Sequence, residues 1–267
     1  MIIVTGTQGF IGRHFLNELQ DQGKEVIEVD QQGAWYFKSN FDKWDEVELI
    51  LHQGAISDTT FSDLKVLFSW NIDYGEWLLK QALEHQIPIK YASSASVYGN
   101  TTDTINPLNY YALGKVTLDY FVRDHIDEFK FVQGFRYYNV YGSGEDHKGD
   151  QASPVHKFHK QIKETGKLKL FKGSDKFLRD FVCVSDVIDI VLNNDKPSGI
   201  YDLGTSEPIS FKQVADWTVE KYGGEIEEVP FPDHLKGKYQ EYTCAKKEWG
   251  DHKFKSVYEY LQELPSS

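Results

Sequence analysis

The chain has 267 residues with 41 acidic against 29 basic side chains, a formal charge of -12, and 40% hydrophobic content. That is enough to bury one sizeable core or two contiguous lobes. An acidic surface of this kind repels phosphodiester backbones, so no nucleic-acid partner is expected, while a small anionic ligand stays open. The two cysteines, Cys183 and Cys244, form no disulfide framework, and Cys183 reads as a small core residue in an apolar run. No apolar run approaches membrane-spanning length. The strand-like start at Ile2 leaves no room for a signal peptide, so a cytoplasmic location is expected.

In chain order, short apolar runs alternate with amphipathic stretches. Residues 2–5 read as a buried strand, and the glycine-rich turn after them opens a helix with Phe10, Ile11, Phe15, Leu16 and Leu19 at helical spacing. Further strands are expected at 25–29, 47–52, 87–92 and 130–135, with one helical stretch from Leu64 to Leu83 and another from about Leu108 to His125. This alternation argues for an α/β fold, a doubly wound parallel Rossmann sheet with helices on both faces. From Asn139 the texture changes. Residues 143–153 read as a polar loop, 167–171 and 225–229 as strands, and 184–193 and 211–222 as helices. They suggest a smaller mixed α/β lobe that exchanges segments with the first. The expected division gives 1–138, 182–208 and about 242–251 to a dinucleotide-binding domain. It gives 139–181, 209–241 and 252–267 to a substrate-binding lobe.

Gly6-Thr7-Gln8-Gly9-Phe10-Ile11-Gly12 lies between a strand and a helix. Glycines there let the backbone turn tightly and approach a pyrophosphate, which meets the free amides at the positive end of the helix. Asp30 ends the next strand, where a carboxylate accepts bonds from an adenosine ribose and repels a 2′-phosphate. Lys38 follows and could answer such a phosphate, so NAD and NADP both remain open.

Tyr111-Ala112-Leu113-Gly114-Lys115 sets a phenol and an amine at i and i+4, on one helix face. A free tyrosine is a poor base at neutral pH, and a neighbouring ammonium is expected to lower its pKa. Ser94, at the end of the strand-like Tyr91-Ala92-Ser93-Ser94, can align a substrate oxygen with that phenol.

The order TGTQGFIG, HQGA, YASSASVYG, YALGK, FRYYNVYG and RDFVCVSD resembles the extended short-chain dehydrogenase family from end to end. The resemblance implies a nicotinamide cofactor, NAD or NADP. It would be held by Gly6, Gly9, Phe10, Ile11, Gly12, Asp30, Gln31, Lys38, Gln53, Gly54, Ala55, Asn71, Tyr111, Lys115 and Val140, with Asn71 bracing the site from its helix. Dehydratases of the family carry an acid pair after the catalytic hydroxyl. Here Ser94 is followed by Ala95 and Ser96, which disfavours dehydration.

The later segments His147-Lys148-Gly149, Phe171-Lys172-Gly173-Ser174, Arg179-Asp180-Phe181 and 231–240 resemble the branch of that family that inverts the exocyclic C6 carbon of an ADP-linked heptose. This implies a nucleotide-sugar epimerase that oxidises and re-reduces its substrate, with Ser94, Tyr111, Lys115 and Lys148 as the catalytic set. Tyr111 and Lys148 would be the two proton-transfer groups, and Lys148 would need burial or a cationic neighbour to lower its pKa. The implied substrate contacts are Ser94, Asn139, Lys148, Phe171, Lys172, Gly173, Ser174, Arg179 and Tyr239. No metal is implied, and a homo-oligomer is expected. The competing readings are a nucleotide-sugar 4-epimerase or 4-reductase and a non-catalytic NAD(P)-binding protein. Three departures stand out: the short interval from Asp30 to His52, Ser143-Gly144 in place of Pro-Arg, and Asp150 where a small hydroxyl residue is usual.

Overall fold

The computed structural model describes residues 1–54, 56–233 and 240–265. The described chain divides into two compact units. The first comprises 1–97, 107–137 and 188–201, and the second 98–106, 138–187 and 202 onward. Segments 182–187, 202–208 and 242–251, expected in the dinucleotide-binding domain, fall in the second unit, as do 98–106.

The elements run β1 (Ile2–Thr5), α1 (Phe10–Asp21), β2 (Val26–Val29), α2 (Ala34–Asn40), β3 (Leu49–His52), α3 (Leu64–Phe68), α4 (Tyr74–Glu84), β4 (Ile89–Ser94), α5 (Tyr110–Asp124) and β5 (Val132–Tyr137). They continue with β6 (Asn139–Tyr141), α6 (Pro154–Thr165), β7 (Lys167–Phe171), β8 (Leu178–Arg179), β9 (Phe181–Cys183), α7 (Val184–Asn193), β10 (Gly199–Leu203), β11 (Ile209–Ser210), α8 (Phe211–Tyr222), β12 (Glu225–Val229) and α9 (Val257–Glu263). No helix among the described residues is long and apolar enough to cross a membrane.

The main sheet has the order β10-β5-β4-β3-β1-β2, and the β1–β2, β1–β3, β3–β4 and β4–β5 pairings are parallel. A parallel sheet is covered on both faces, which is why β1 is buried at all four positions. The chain leaves β1 for β2 on one side and returns to β3 on the other. The topological switch point therefore falls at the carboxyl end of β1, where open α/β sheets bind ligands. In-register pairing of Thr5 with both Val29 and His52 sets three strand ends side by side.

The short interval after β2 holds a single seven-residue helix, α2, and closes with aromatic packing. Phe37 stacks on Phe41 at 4.7 Å, Phe41 meets Trp44 edge-on at 4.8 Å, and Trp44 stacks on His85 at 5.4 Å. Contacts of this kind add to the area buried. The helix expected from Leu64 to Leu83 is interrupted by a π-helical segment, Ser69–Asp73, between α3 and α4. Such a bulge re-aims a side chain without ending the helix, and the one re-aimed here is Asn71.

The second unit has its own core around Tyr141, Phe158, Leu168, Phe181, Phe211 and Leu261. Its β7 pairs in parallel with β12 and its β6 with β9. Residues 143–153, expected as an open loop, contain a 3₁₀ turn over Asp146–Gln151. Cys183 is buried, as its apolar setting suggested.

His52 ends β3 with its ring fully inside the first unit, bonded to Thr5 Oγ1 at 2.8 Å. Burial and the Lys115 charge push its pKa down to about 3. The unfolded chain then binds a proton below about pH 6.5 that the folded chain refuses, so stability falls as pH drops from there towards 3. Thermal melts between pH 7 and 5 are expected to lose up to about 1 kcal/mol per pH unit through this group. His52→Gln is expected to flatten that slope, and identical slopes in the two proteins would remove His52 as its source.

Candidate active site

Groups expected to bind the cofactor gather where β1, β2 and β3 end. Gly6 has φ +73°, and a Cβ there would lie 2.8 Å from the Gly54 backbone. A Cβ on Gly12 would come within 2.1 Å of the Gly6 carbonyl oxygen, so only glycine lets α1 start against this turn. α1 has no side-chain cap, which leaves its first amides for an anion. Asp30 Oδ2 accepts from the Gln8 amide and Oδ1 from the Gln31 amide, both at 2.5 Å. The carboxylate thus sits against the glycine turn itself. Lys38 lies 5.2 Å and 5.3 Å from the ring centres of Trp35 and Trp77, a cation–π arrangement.

After β3, Gly54 donates its amide to Thr5 Oγ1 at 3.1 Å, and Gln53 Oε1 accepts from the Tyr137 hydroxyl at 3.0 Å. Gln53 Nε2 is buried with no partner among the described residues. Asn71 makes a two-way brace, accepting from the Ile56 amide and donating to the Ile56 carbonyl, each at 2.9 Å. Ala55 lies outside the described residues. An uncapped helix start, a carboxylate at the β2 end and a spare buried amide donor together suit a dinucleotide.

The catalytic candidates lie along the α5–β4 contact. Asn109 caps α5 by accepting from the Ala112 amide, so Tyr111 occupies the second helical position. The Ser94 side chain acts on the Tyr111 phenol, lowering its pKa. Lys115, one turn on, is buried, donates to the Ala92 carbonyl at 2.6 Å and lies 5.9 Å from the Tyr111 ring centre. Asp119, a further turn on, accepts from the Tyr91 hydroxyl at 3.0 Å and pairs with Arg136 Nε at 2.9 Å.

Electrostatics amend the expectation for Tyr111. Burial raises its phenol and the Ser94 side chain only partly offsets this. Lys115 itself is brought down to about 8 by burial, against the pull of Asp119.

In the second unit, Asn139 and Val140 lie on β6, with the Asn139 amide bonded to the Asp180 carbonyl at 3.0 Å. Lys148 sits in the 3₁₀ turn, and its Nζ is 2.9 Å from Glu145 Oε2. The neighbour is a carboxylate where a cationic or apolar one was expected. Asp150 is exposed, and its carbonyl accepts from Lys157 Nζ at 3.1 Å. Phe171–Ser174 form a turn through Gly173, φ +83°. Within it the Ser174 hydroxyl is spent on the Phe171 carbonyl, while Lys172 and Gly173 are exposed.

Arg179 is buried on β8, 5.8 Å from the Phe211 ring centre. Its neighbour Asp180 accepts from the amides of Thr205, Ser206 and Ala245 and from the Thr205 hydroxyl. Tyr239 lies outside the described residues. The groups that sequence reasoning missed are Asp119, Arg136 and Glu145. Asp119 continues the i, i+4 rhythm from Tyr111 and Lys115, which was a usable signal.

A glycine-turn Rossmann sheet bearing Ser, Tyr and Lys at this contact defines a nucleotide-dependent oxidoreductive enzyme class. The chain belongs to the NAD dependent epimerase/dehydratase family, whose model matches residues 2–204. It is 38% identical to the ADP-L-glycero-D-manno-heptose-6-epimerase of Alkalilimnicola ehrlichii, over 92% of this chain and 88% of that protein. With the family match, that relative makes the chain an NAD-dependent epimerase. In fold it is similar to the Helicobacter pylori ADP-L-glycero-D-manno-heptose-6-epimerase, with a TM-score of 0.85, 24% identity, and 98% and 93% of the two chains covered. It is likewise similar to the Thermus thermophilus UDP-glucose 4-epimerase in complex with NAD, with a TM-score of 0.76, 22% identity, and 92% and 90% covered.

Asp119→Asn leaves the Arg136 guanidinium without its counter-charge in a largely buried place. Denaturant titration is expected to show a loss of about 3 kcal/mol, and Asp119→Leu/Arg136→Met to recover most of it. A double variant no more stable than the single one would mean the network does more than neutralise charge.

Proposed function

We propose that the protein epimerises ADP-glycero-manno-heptose at the exocyclic C6 carbon by transient oxidation and re-reduction. The observation that carries this is Lys115, buried one turn from Tyr111 with its Nζ 5.9 Å from that ring centre and bonded to the Ala92 carbonyl on the strand that ends at Ser94. The heptose is supported by the 38% identical relative, which bears that name.

In this reading, a bound NAD supplies a hydride acceptor that later returns the hydride. Ser94 orients the C6 oxygen, and Tyr111 transfers its proton on one face. Lys115 holds the nicotinamide ribose, and its charge favours the phenolate. With its ammonium turned from Ala92 towards that ribose, the electrostatic help missing in the free protein would be restored. Inversion requires proton transfer on the opposite face, for which one residue in one geometry does not suffice, and Lys148 is the group assigned there. Arg179, buried and always charged, suits the diphosphate of the ADP moiety. Asn139 and Phe171–Ser174 are the remaining sugar and nucleotide contacts. The protein acts in the cytoplasm as a homo-oligomer.

The test is product analysis with ADP-glycero-manno-heptose and UDP-hexose as substrates. Epimerisation of the heptose alone is expected, and turnover of UDP-hexose alone would end the proposal. Tyr111→Phe and Lys148→Ala should each bind NAD normally and lose epimerisation by at least about 100-fold. Unchanged turnover in either removes that residue from the mechanism.

NAD is the proposed cofactor in preference to NADP. Asp30 presents a carboxylate at the ribose position, and Lys38 is engaged with Trp35 and Trp77. Calorimetry is expected to give at least about tenfold tighter binding of NAD, a difference of about 1.4 kcal/mol, and Asp30→Ala to narrow it. Tighter binding of NADP by the wild-type protein would reverse the assignment.

A further inference from the structure

The turn that carries Lys148 is closed by a carboxylate with no part in the function argued so far. Glu145 has no exposed surface. Its Oε1 accepts from the Ser153 hydroxyl at 2.6 Å and the Gly142 amide at 3.3 Å. Its Oε2 accepts from the Ser153 amide at 2.7 Å and from Lys148 Nζ at 2.9 Å. Donors meet both oxygens, the pattern of a carboxylate and not of a carboxylic acid. Ser153 is also the N-cap of the twelve-residue α6, accepting from the His156 amide, so Glu145 lies at the positive end of that helix.

Fold stability alone does not ask for this arrangement. A polar helix start is satisfied by its cap, and burying an ion pair brings little net gain. What the carboxylate adds is control over Lys148, whose side chain keeps 20% exposure while its partner has none. A lysine head on a flexible four-carbon stem has three donors.

We infer that Glu145 is the positioning residue for the second proton-transfer group, fixing Lys148 Nζ in place. The inference rests on the reading of Lys148 given above. Other charges act on the same turn. Lys157 on α6 interacts with Lys148, Glu145 and Asp150, and Tyr260 of α9 interacts with Glu145 and Asp146.

Two measurements on Glu145→Gln test this. Its kcat on ADP-glycero-manno-heptose is expected to fall about 100-fold with KM little changed, since the group is misplaced while the substrate still binds. Acetylation by acetic anhydride, read residue by residue by mass spectrometry, reports the free amine. Lys148 should be labelled about tenfold faster at neutral pH in this variant, its amine released from the carboxylate that holds it. Ser153→Ala, which removes a helix cap but no charge, should lower the melting temperature and leave Lys148 labelling unchanged.

Unaltered labelling in Glu145→Gln, or equal acceleration in Ser153→Ala, overturns the inference. If Glu145→Gln does not fold, the wild-type enzyme decides: Lys148 must be labelled more slowly than the exposed Lys172, and equal rates overturn it. Lys148→Ala separates the two levels. If that variant turns over normally, the reading of Lys148 fails and takes this inference with it. If it is inactive while Glu145→Gln keeps its rate, only the role of Glu145 fails.

Discussion

The first unit depends on a polar seam between α5 and β4. Along one helix face Tyr111 meets Ser94, Lys115 meets the Ala92 carbonyl, and Asp119 meets the Tyr91 hydroxyl and Arg136. Charges this deep are tolerated only when each has a partner. The lower rungs of the ladder therefore hold the upper one in register. An apolar seam would pack as well, but it would neither fix the height of the phenol above the strand end nor keep an amine one turn below it. In the reading proposed above, the catalytic groups are the upper end of this structural device.

Two opposing effects act on that seam, and their order matters. Burial raises the Tyr111 phenol and lowers the Lys115 amine, and each shift moves its group towards neutrality. Asp119 resists this for Lys115.

The second unit solves its own burial problem with carboxylates that collect backbone amides. Asp180 gathers the 205–206 turn and Ala245 beside Arg179, and Glu145 gathers the 142–153 turn beside Lys148. In both cases an anion fixes a loop next to a cation assigned to substrate or proton. Each loop is rigid because donors that would otherwise be unsatisfied have an acceptor. The Pro-Arg missing at 143–144 and the acidic Asp150 fall within a turn that is well held, with Lys157 close to the added carboxylate.

Much was legible from spacing alone. The glycine turn, the strand–helix alternation and the i, i+4 pair of Tyr111 and Lys115 are short-range patterns, and short-range patterns survive being read without a fold. Helix α6, with a Ser153 cap, a Pro154 start and an αL Gly166 stop, and α9, with a complete capping box from Ser256 to Glu259, formed where no helix was expected. What lay beyond sequence was every outcome set by contacts between distant segments. Lys38 against Trp77, Asn71 turned by a π segment onto Ile56, Asp30 against the Gln8 amide, and the sign of the Tyr111 shift all depend on who the neighbours are. The sequence by itself determined which residues can do this chemistry, because spacing on a helix or after a strand is local geometry. Only the tertiary structure decided which charge state each one rests in, because desolvation and pairing are properties of the packed interior.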